Sequence, residues 1–177
     1  MKGKTLGWIL LGGGVLVACL LFKRQIANGV ENWEKTLFLN RLSPYNELVE
    51  YRAAEEDINL YLLQALIWTE SSGFPDEQTW EGPGIGYSYG FTGLTLDAAR
   101  DMGFTGVEKD LLDPQINLEF GAKYLRMWLD KSDGNVKLAL SSYNGGYVAY
   151  YYYLQIGMFV NPSYISKVIE YYDLLRK

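Results

Sequence analysis

No histidine occurs in this 177-residue chain, and its one cysteine is Cys19. The first absence excludes a Ser-His-Asp site and any His-ligated metal. The second excludes an intrachain disulfide and a Cys-Cys metal pair. There is no internal repeat, and low complexity is confined to the tyrosine run 150–153. Charge is unevenly placed. Lys2, Lys4, Lys23 and Arg24 are the charged residues before Gln25, and the remainder sets 12 basic side chains against 21 acidic ones. A net −9 over that remainder is a poor surface for phosphates, so nucleic acid is not expected as a partner. Chemistry falls to carboxylates, hydroxyls and amides, with no metal or cofactor implied.

What is present begins with a long apolar run. Leu6 to Phe22, LGWILLGGGVLVACLLF, carries no charge. As a helix it extends roughly 25 Å, slightly short of a ~30 Å hydrocarbon core. Basic residues flank both ends, so the positive-inside rule sets no orientation. A buried core helix and a cleaved signal peptide stay open as readings. So does a bacterial lipobox at Leu16-Val17-Ala18-Cys19, although Leu20-Leu21-Phe22 continue the apolar run past the cysteine. The preferred expectation is one uncleaved transmembrane helix over residues 1–24. Residues 25–42 then read as a helical stalk near the membrane surface, with Ile26, Val30, Trp33 and Leu37 at helical spacing.

From Ser43 to Lys177 the pattern is helix after helix, which predicts a mainly α domain. Ser43-Pro44 offers a cap and an N1 proline. Asp57 is expected to cap the helix that runs through Leu62, Leu63, Leu66 and Ile67 to Glu70. Thr95 opens a short helix closed by Gly103. Asp113-Pro114 opens a longer one, with Ile116, Phe120, Tyr124 and Met127 as its stripe. Asn135 and Asn161-Pro162 precede the last two. Between Gly73 and Thr95 the helical pattern fails, and glycines and aromatics predict a long loop or a small irregular β element.

Glu70 stands out. It lies three residues after Ile67 and four after Leu66, on an apolar face at the carboxyl end of its helix. Burial and the negative end of the helix dipole both disfavour a carboxylate there. Each raises the pKa, which is how a carboxylic acid keeps a proton to donate near neutral pH. On this feature alone, a solvated glutamate at a helix end is the commoner outcome.

The residues around it carry a resemblance. Glu70-Ser71 after an apolar helix, GFTG at Gly90 to Gly93, SYNGG at Ser142 to Gly146 and Tyr164 opening the last helix occur in order. Between them lies DLLDPQINLEFGAKYLRMWL. From about Pro44 to Leu175 the chain resembles the lytic transglycosylases that share the goose-type lysozyme fold. Two departures are visible. Gly93 stands where the family has a glutamine, and the loop from Gly73 to Tyr87 is this chain's own.

The resemblance implies cleavage of the β-1,4 bond between N-acetylmuramic acid and N-acetylglucosamine in peptidoglycan. Glu70 would serve as acid and then as base, while the muramoyl C6 hydroxyl closes a 1,6-anhydro ring. One protein carboxylate suffices, unlike the usual pair. Ser71, Ser88, Phe91, Tyr143, Asn144 and Tyr164 are the substrate-side candidates, with Tyr143 expected to hydrogen-bond the Glu70 carboxyl. Phe74, Trp80, Tyr87, Tyr89 and Phe91 are expected either as a sugar-stacking wall or as core. Two rivals remain. One is a muramidase in which Glu81 positions a water; the other is a non-catalytic peptidoglycan-binding subunit, suggested by the lost glutamine. An anchor would hold the catalytic domain outside the cytoplasm, or belong to a secretion apparatus or a phage virion.

Overall fold

The computed structural model describes Lys23 and residues 29–177. It divides into two compact units, Met1–Leu37 and Phe38–Lys177. The expected anchor, apart from Lys23, and the cysteine motif lie outside the described residues. Among the described residues no helix is long and apolar enough to cross a membrane. In the first unit, residues 29–37 are helical, and Val30 and Trp33 are exposed.

The second unit starts five residues ahead of the expected boundary at Ser43, because Phe38 and Leu42 are core residues. Its elements are α1 (residues 38–42), α2 (Asn46–Glu55), α3 (Leu60–Ser71), β1 (Gln78–Gly82), β2 (Gly86–Tyr89), β3 (Leu94–Thr95), α4 (Leu96–Asp101), α5 (Pro114–Lys131), α6 (Val136–Ile156) and α7 (Pro162–Leu175). The three strands form an antiparallel sheet in the order β1-β2-β3, with Thr79 opposite Ser88 and Ser88 opposite Thr95. The glycine- and aromatic-rich segment is thus a small β element.

Helix α3 is the centre of the unit. Every residue from Leu62 to Trp68 is buried, as expected of a helix that is apolar on nearly all sides. Trp68 is stacked between Phe38 and Tyr171, at ring-centroid distances of 4.8 and 4.1 Å, and so ties α1 and α7 to α3. Rings of this size dominate core energetics and fix the angle at which helices meet.

Local signals mark several helix starts and miss others. Thr95, Asp113 and Asn135 accept the first-turn N–H groups of α4, α5 and α6 with their side chains, as expected. Asp57 does not cap α3. It takes a left-handed φ of 50° and closes α2 instead, with Asp57 N donating to Ala54 O and Ile58 N to Ala53 O. That pairing satisfies the carbonyls at a helix end, and it brings Ile58 into the core. The cap of α3 is Asn59, whose Oδ1 accepts from Tyr61 N and Leu62 N. The expected Ser43 cap does not form either. Ser43–Tyr45 is a 3-10 turn, and the Ser43 hydroxyl donates back to Asn40 O.

The stripe expected on α5 is also rotated. Of Ile116, Phe120, Tyr124 and Met127, only Tyr124 is fully buried. The inward face is Asn117, Leu118, Gly121, Ala122, Leu125, Trp128 and Leu129. Two residues that look unsuited to a core, Asn117 and Gly121, set this rotation, because a backbone segment crosses α5 there.

Candidate active site

That segment runs from Tyr89 to Gly93, between β2 and β3. Asn117 has no exposed surface and holds the segment from below. Its Nδ2 donates to Tyr89 O (2.7 Å) and Leu111 O (2.9 Å). Its Oδ1 accepts from the N–H and the hydroxyl of Thr92, both at 2.9 Å. All of the amide's strongest sites are therefore used, as burial of a polar side chain requires. One turn along α5, Gly121 permits the close crossing, since a Cβ there would collide with Thr92. Two further bonds complete the strap. The Ser71 hydroxyl lies 3.0 Å from Phe91 O, and Tyr143 Oη donates to Thr92 O at 2.8 Å.

The strap ends against Glu70. Gly93 has a φ of +57°, and a Cβ built on it would lie 2.6 Å from Glu70 Oε2. At the position of the family glutamine, the left-handed backbone strains any side chain, and a Cβ would displace the Glu70 carboxyl. Glu70, on the last turn of α3, is only partly exposed and forms part of the wall of a cleft of about 380 Å3. Tyr164, on the first turn of α7, donates its hydroxyl to Glu70 Oε1. Burial pushes the Glu70 carboxyl from an ordinary 4.5 up to about 7. The Tyr164 hydrogen bond opposes that shift, the Glu81 charge adds to it, and the Lys167 charge slightly offsets it. A carboxylic acid in this environment holds a proton near neutral pH and faces an open groove.

Other candidates fall on either side of the groove wall. Glu81, Ser88, Tyr143 and Asn144 line the same cleft as Glu70. Ser88 donates its hydroxyl to Glu81 Oε1 at 2.7 Å, holding that carboxylate at the β1 side. Ser71 lies outside the cleft. Its buried hydroxyl reaches the carbonyls of Ile67 and Phe91 and accepts from Gly73 N, so it joins the end of α3 to the strap. Phe91 is wholly buried, edge-on to Tyr45 at 4.9 Å, and serves the core. Tyr143 is beside Glu70 as expected, but its hydroxyl goes to Thr92 O; Tyr164 makes the bond to the carboxyl.

The expected aromatic wall is divided. Tyr89 and Phe91 are core residues. Trp80 and Tyr87 are exposed and face each other across β1 and β2 at 5.0 Å, while Phe74 lies under the Arg41 guanidinium. Among the described residues the cleft takes Ile85, Tyr147 and Val148 as its exposed apolar rim. In the tyrosine run, Tyr150 donates to Lys131 O and Tyr153 stacks on Phe159.

Sequence reasoning missed three contributors: Asn117, Thr92 and Asn161. The first lies in DLLDPQINLEFGAKYLRMWL, one of the segments that carry the family resemblance, but no role at the site was read from it. The other two lie in GFTG and before Pro162, but their contacts have no local signal, because their partners lie 17 to 51 residues away.

Known proteins resemble this chain in sequence and in fold. The family model for the transglycosylase SLT domain matches residues 47–155. The membrane-bound lytic murein transglycosylase F of Cellvibrio japonicus (strain Ueda107) is 31% identical over 146 residues, which is 78% of this chain and 28% of that protein. The chain therefore spans under a third of that relative. Two solved structures share the fold. The 70-kDa soluble lytic transglycosylase of Escherichia coli superposes with a TM-score of 0.63 at 20% identity, over 75% of this chain and 24% of that one. An inactive mutant of lytic transglycosylase Slt from Pseudomonas aeruginosa gives 0.59 at 20% identity, over 70% and 22%. With more than half of its length matched by the family model and its fold shared with these enzymes, the chain belongs to the transglycosylase SLT domain family.

Proposed function

We propose that this chain is a peptidoglycan lytic transglycosylase, with Glu70 as its single acid–base. The observation that carries the reading is the Glu70 carboxyl, raised to about 7 by burial and oriented by Tyr164 at the wall of an open cleft. A protonated Glu70 donates its proton to the glycosidic oxygen between N-acetylmuramic acid and N-acetylglucosamine. The C1–O bond breaks and the leaving sugar departs with that proton. The Glu70 carboxylate then accepts the proton of the muramoyl C6 hydroxyl as its oxygen bonds to C1. The product is a 1,6-anhydro end, no water is consumed, and Glu70 returns to its starting state.

Asn144 lines the cleft and binds the glycan, while Ser88 holds Glu81 at the edge of the cleft. Ser71, Tyr143 and Phe91 support the strap and the core in this reading. Residues 1–24 anchor the chain in a membrane, residues 25–37 extend it outward, and the catalytic unit, which begins at Phe38, works on the extracytoplasmic face. The membrane-bound character of the relative from Cellvibrio japonicus supports that arrangement.

One observation favours a second reading. Glu81 lies in the same cleft as Glu70, and its charge adds to the Glu70 shift. In that reading Glu81 positions a water and the products carry reducing ends. Mass spectrometry of digested sacculi separates the two, because anhydro and reducing products differ by one water. Anhydro products support the transglycosylase; reducing ends from the first turnover replace it with the hydrolase.

A further inference from the structure

Asn161 precedes Pro162 at the start of α7, where an asparagine ordinarily caps the helix. Its side chain makes no cap bond. It is committed elsewhere, to α6. The Ser141 hydroxyl, fully buried, donates to Asn161 Oδ1 at 2.9 Å. Asn161 Nδ2 faces Ser141 O at 3.5 Å and donates to Asn144 Oδ1. These bonds fix polarity. A backbone carbonyl only accepts, so the Asn161 atom turned toward Ser141 O is the nitrogen; the hydroxyl proton of Ser141 then meets the oxygen. With its own oxygen occupied by Asn161, Asn144 has its NH2 left for the cleft that it lines.

We propose that Asn161 is a positioning residue that makes Asn144 a hydrogen-bond donor toward an acetamido carbonyl of the glycan. The direction is set by a three-member relay: Ser141 hydroxyl to Asn161 oxygen, Asn161 amide to Asn144 oxygen, Asn144 amide to ligand. This rests on the function proposed above for the class of sugar, and adds what orients the contact. A chain of bonds with one sense excludes the flipped Asn144 rotamer, which would aim a carbonyl at the sugar carbonyl and repel it. The contact is made in the ground state, so it acts on binding more than on turnover.

The Asn161→Asp substitution tests the polarity at almost constant shape. A carboxylate accepts from Ser141 but has no hydrogen for Asn144, whose amide must turn inward to donate to it. The full chain in detergent is titrated with the N-acetylglucosamine tetramer and with its de-N-acetylated counterpart. The expected result for Asn161→Asp is about five- to tenfold weaker binding of the acetylated tetramer, the scale of one hydrogen bond. The de-N-acetylated tetramer should bind the variant and the unsubstituted chain alike. On sacculi, KM should rise and kcat change little. In an Asn144→Ala background the further change Asn161→Asp should have no effect, whereas a residue that merely supports the fold would keep its effect there. Ser141→Ala removes only the first proton of the relay and should reproduce the acetyl-specific loss in smaller measure, even if Asn161→Asp does not fold. Equal binding of the acetylated tetramer by Asn161→Asp, or a loss that persists in full without Asn144, overturns the relay. Because the readout is binding, a chain that shows this polarity but leaves sacculi uncut supports the relay and removes the proposed reaction.

Discussion

The hydroxyl of Tyr164 donates to Oε1 of Glu70 across 94 residues of sequence, joining the start of α7 to the end of α3. Tyr143, which precedes the Gly145-Gly146 pair, lies in the same cleft but gives its proton to Thr92 O. The two tyrosines thus divide the work. One orients the acid, and the other holds the strap that Gly93 presses against it. For Tyr164→Phe we expect turnover to fall by roughly one to two orders of magnitude, about 1.4–2.8 kcal/mol of transition-state stabilisation, with binding to sacculi little changed. The lost bond also favoured the ionised carboxyl, so the alkaline limb of the pH–rate profile should move upward. An unshifted limb together with normal turnover would show that the hydroxyl does not act on Glu70.

Glu70→Gln should leave the fold intact and abolish cleavage, since the amide has no proton to give. Its stability should carry a pH signature. Between about 4.5 and 7 the unfolded chain has released this proton and the folded chain keeps it. The contribution of Glu70 to stability therefore falls as pH rises through that window, by up to about 3 kcal/mol. The glutamine variant has no such loss. Its melting temperature should exceed that of the unsubstituted chain at pH 8, and the gap should close toward pH 5. Cleavage by the unsubstituted chain, which needs the protonated acid, should decline as pH rises through about 7.

Glu81→Gln should affect turnover mildly and leave anhydro ends as the product. Removing its charge also removes one influence that raises the Glu70 carboxyl, so the alkaline limb should move slightly downward. A loss as deep as that of Glu70→Gln, measured on the same sacculi, would instead assign Glu81 to catalysis.

Asn117→Ala removes a fully buried amide and leaves Tyr89 O, Leu111 O and Thr92 N without their partner. Orphaned buried groups are costly, and a loss of about 3–5 kcal/mol is expected from urea or thermal unfolding. Activity should fall even where the variant remains folded, because the strap no longer holds Gly93 beside Glu70. A change within about 0.5 kcal/mol would show that the strap does not depend on this side chain.

Deleting residues 1–24 should convert a membrane-partitioning chain into a soluble and active one, tested by flotation with lipid vesicles and by digestion of sacculi. Mass analysis of the intact chain separates the anchor readings: an unmodified Cys19 inside an uncleaved chain fits the helix, and a lipidated amino-terminal cysteine fits the lipoprotein.

Helix order and the acid were legible before any contact was known. The apolar run ending at Glu70, the caps at Thr95, Asp113 and Asn135 and the breaks around Gly73 are local patterns, and local patterns survive translation into structure because their partners lie within one or two turns. The ordered motifs from Glu70-Ser71 to Tyr164 likewise identified the family, because they sample residues spread along the chain. Tertiary packing decided the rest. Whether Tyr143 or Tyr164 reaches the carboxyl depends on how α6 and α7 meet α3, which no spacing along either helix encodes. Phe91 and Trp80 are both aromatic, yet one fills the core under the strap and the other stands exposed on β1. Asn117 belongs to a helix that resembles the family and Asn161 precedes the last helix; burial against segments 6 to 28 residues away made them the supports of the site. The chain sequence singled out Glu70 as the candidate acid, and the packing of α5, α6 and α7 around α3 decided which neighbours orient it, because those hydrogen bonds exist only between segments that the fold brings together.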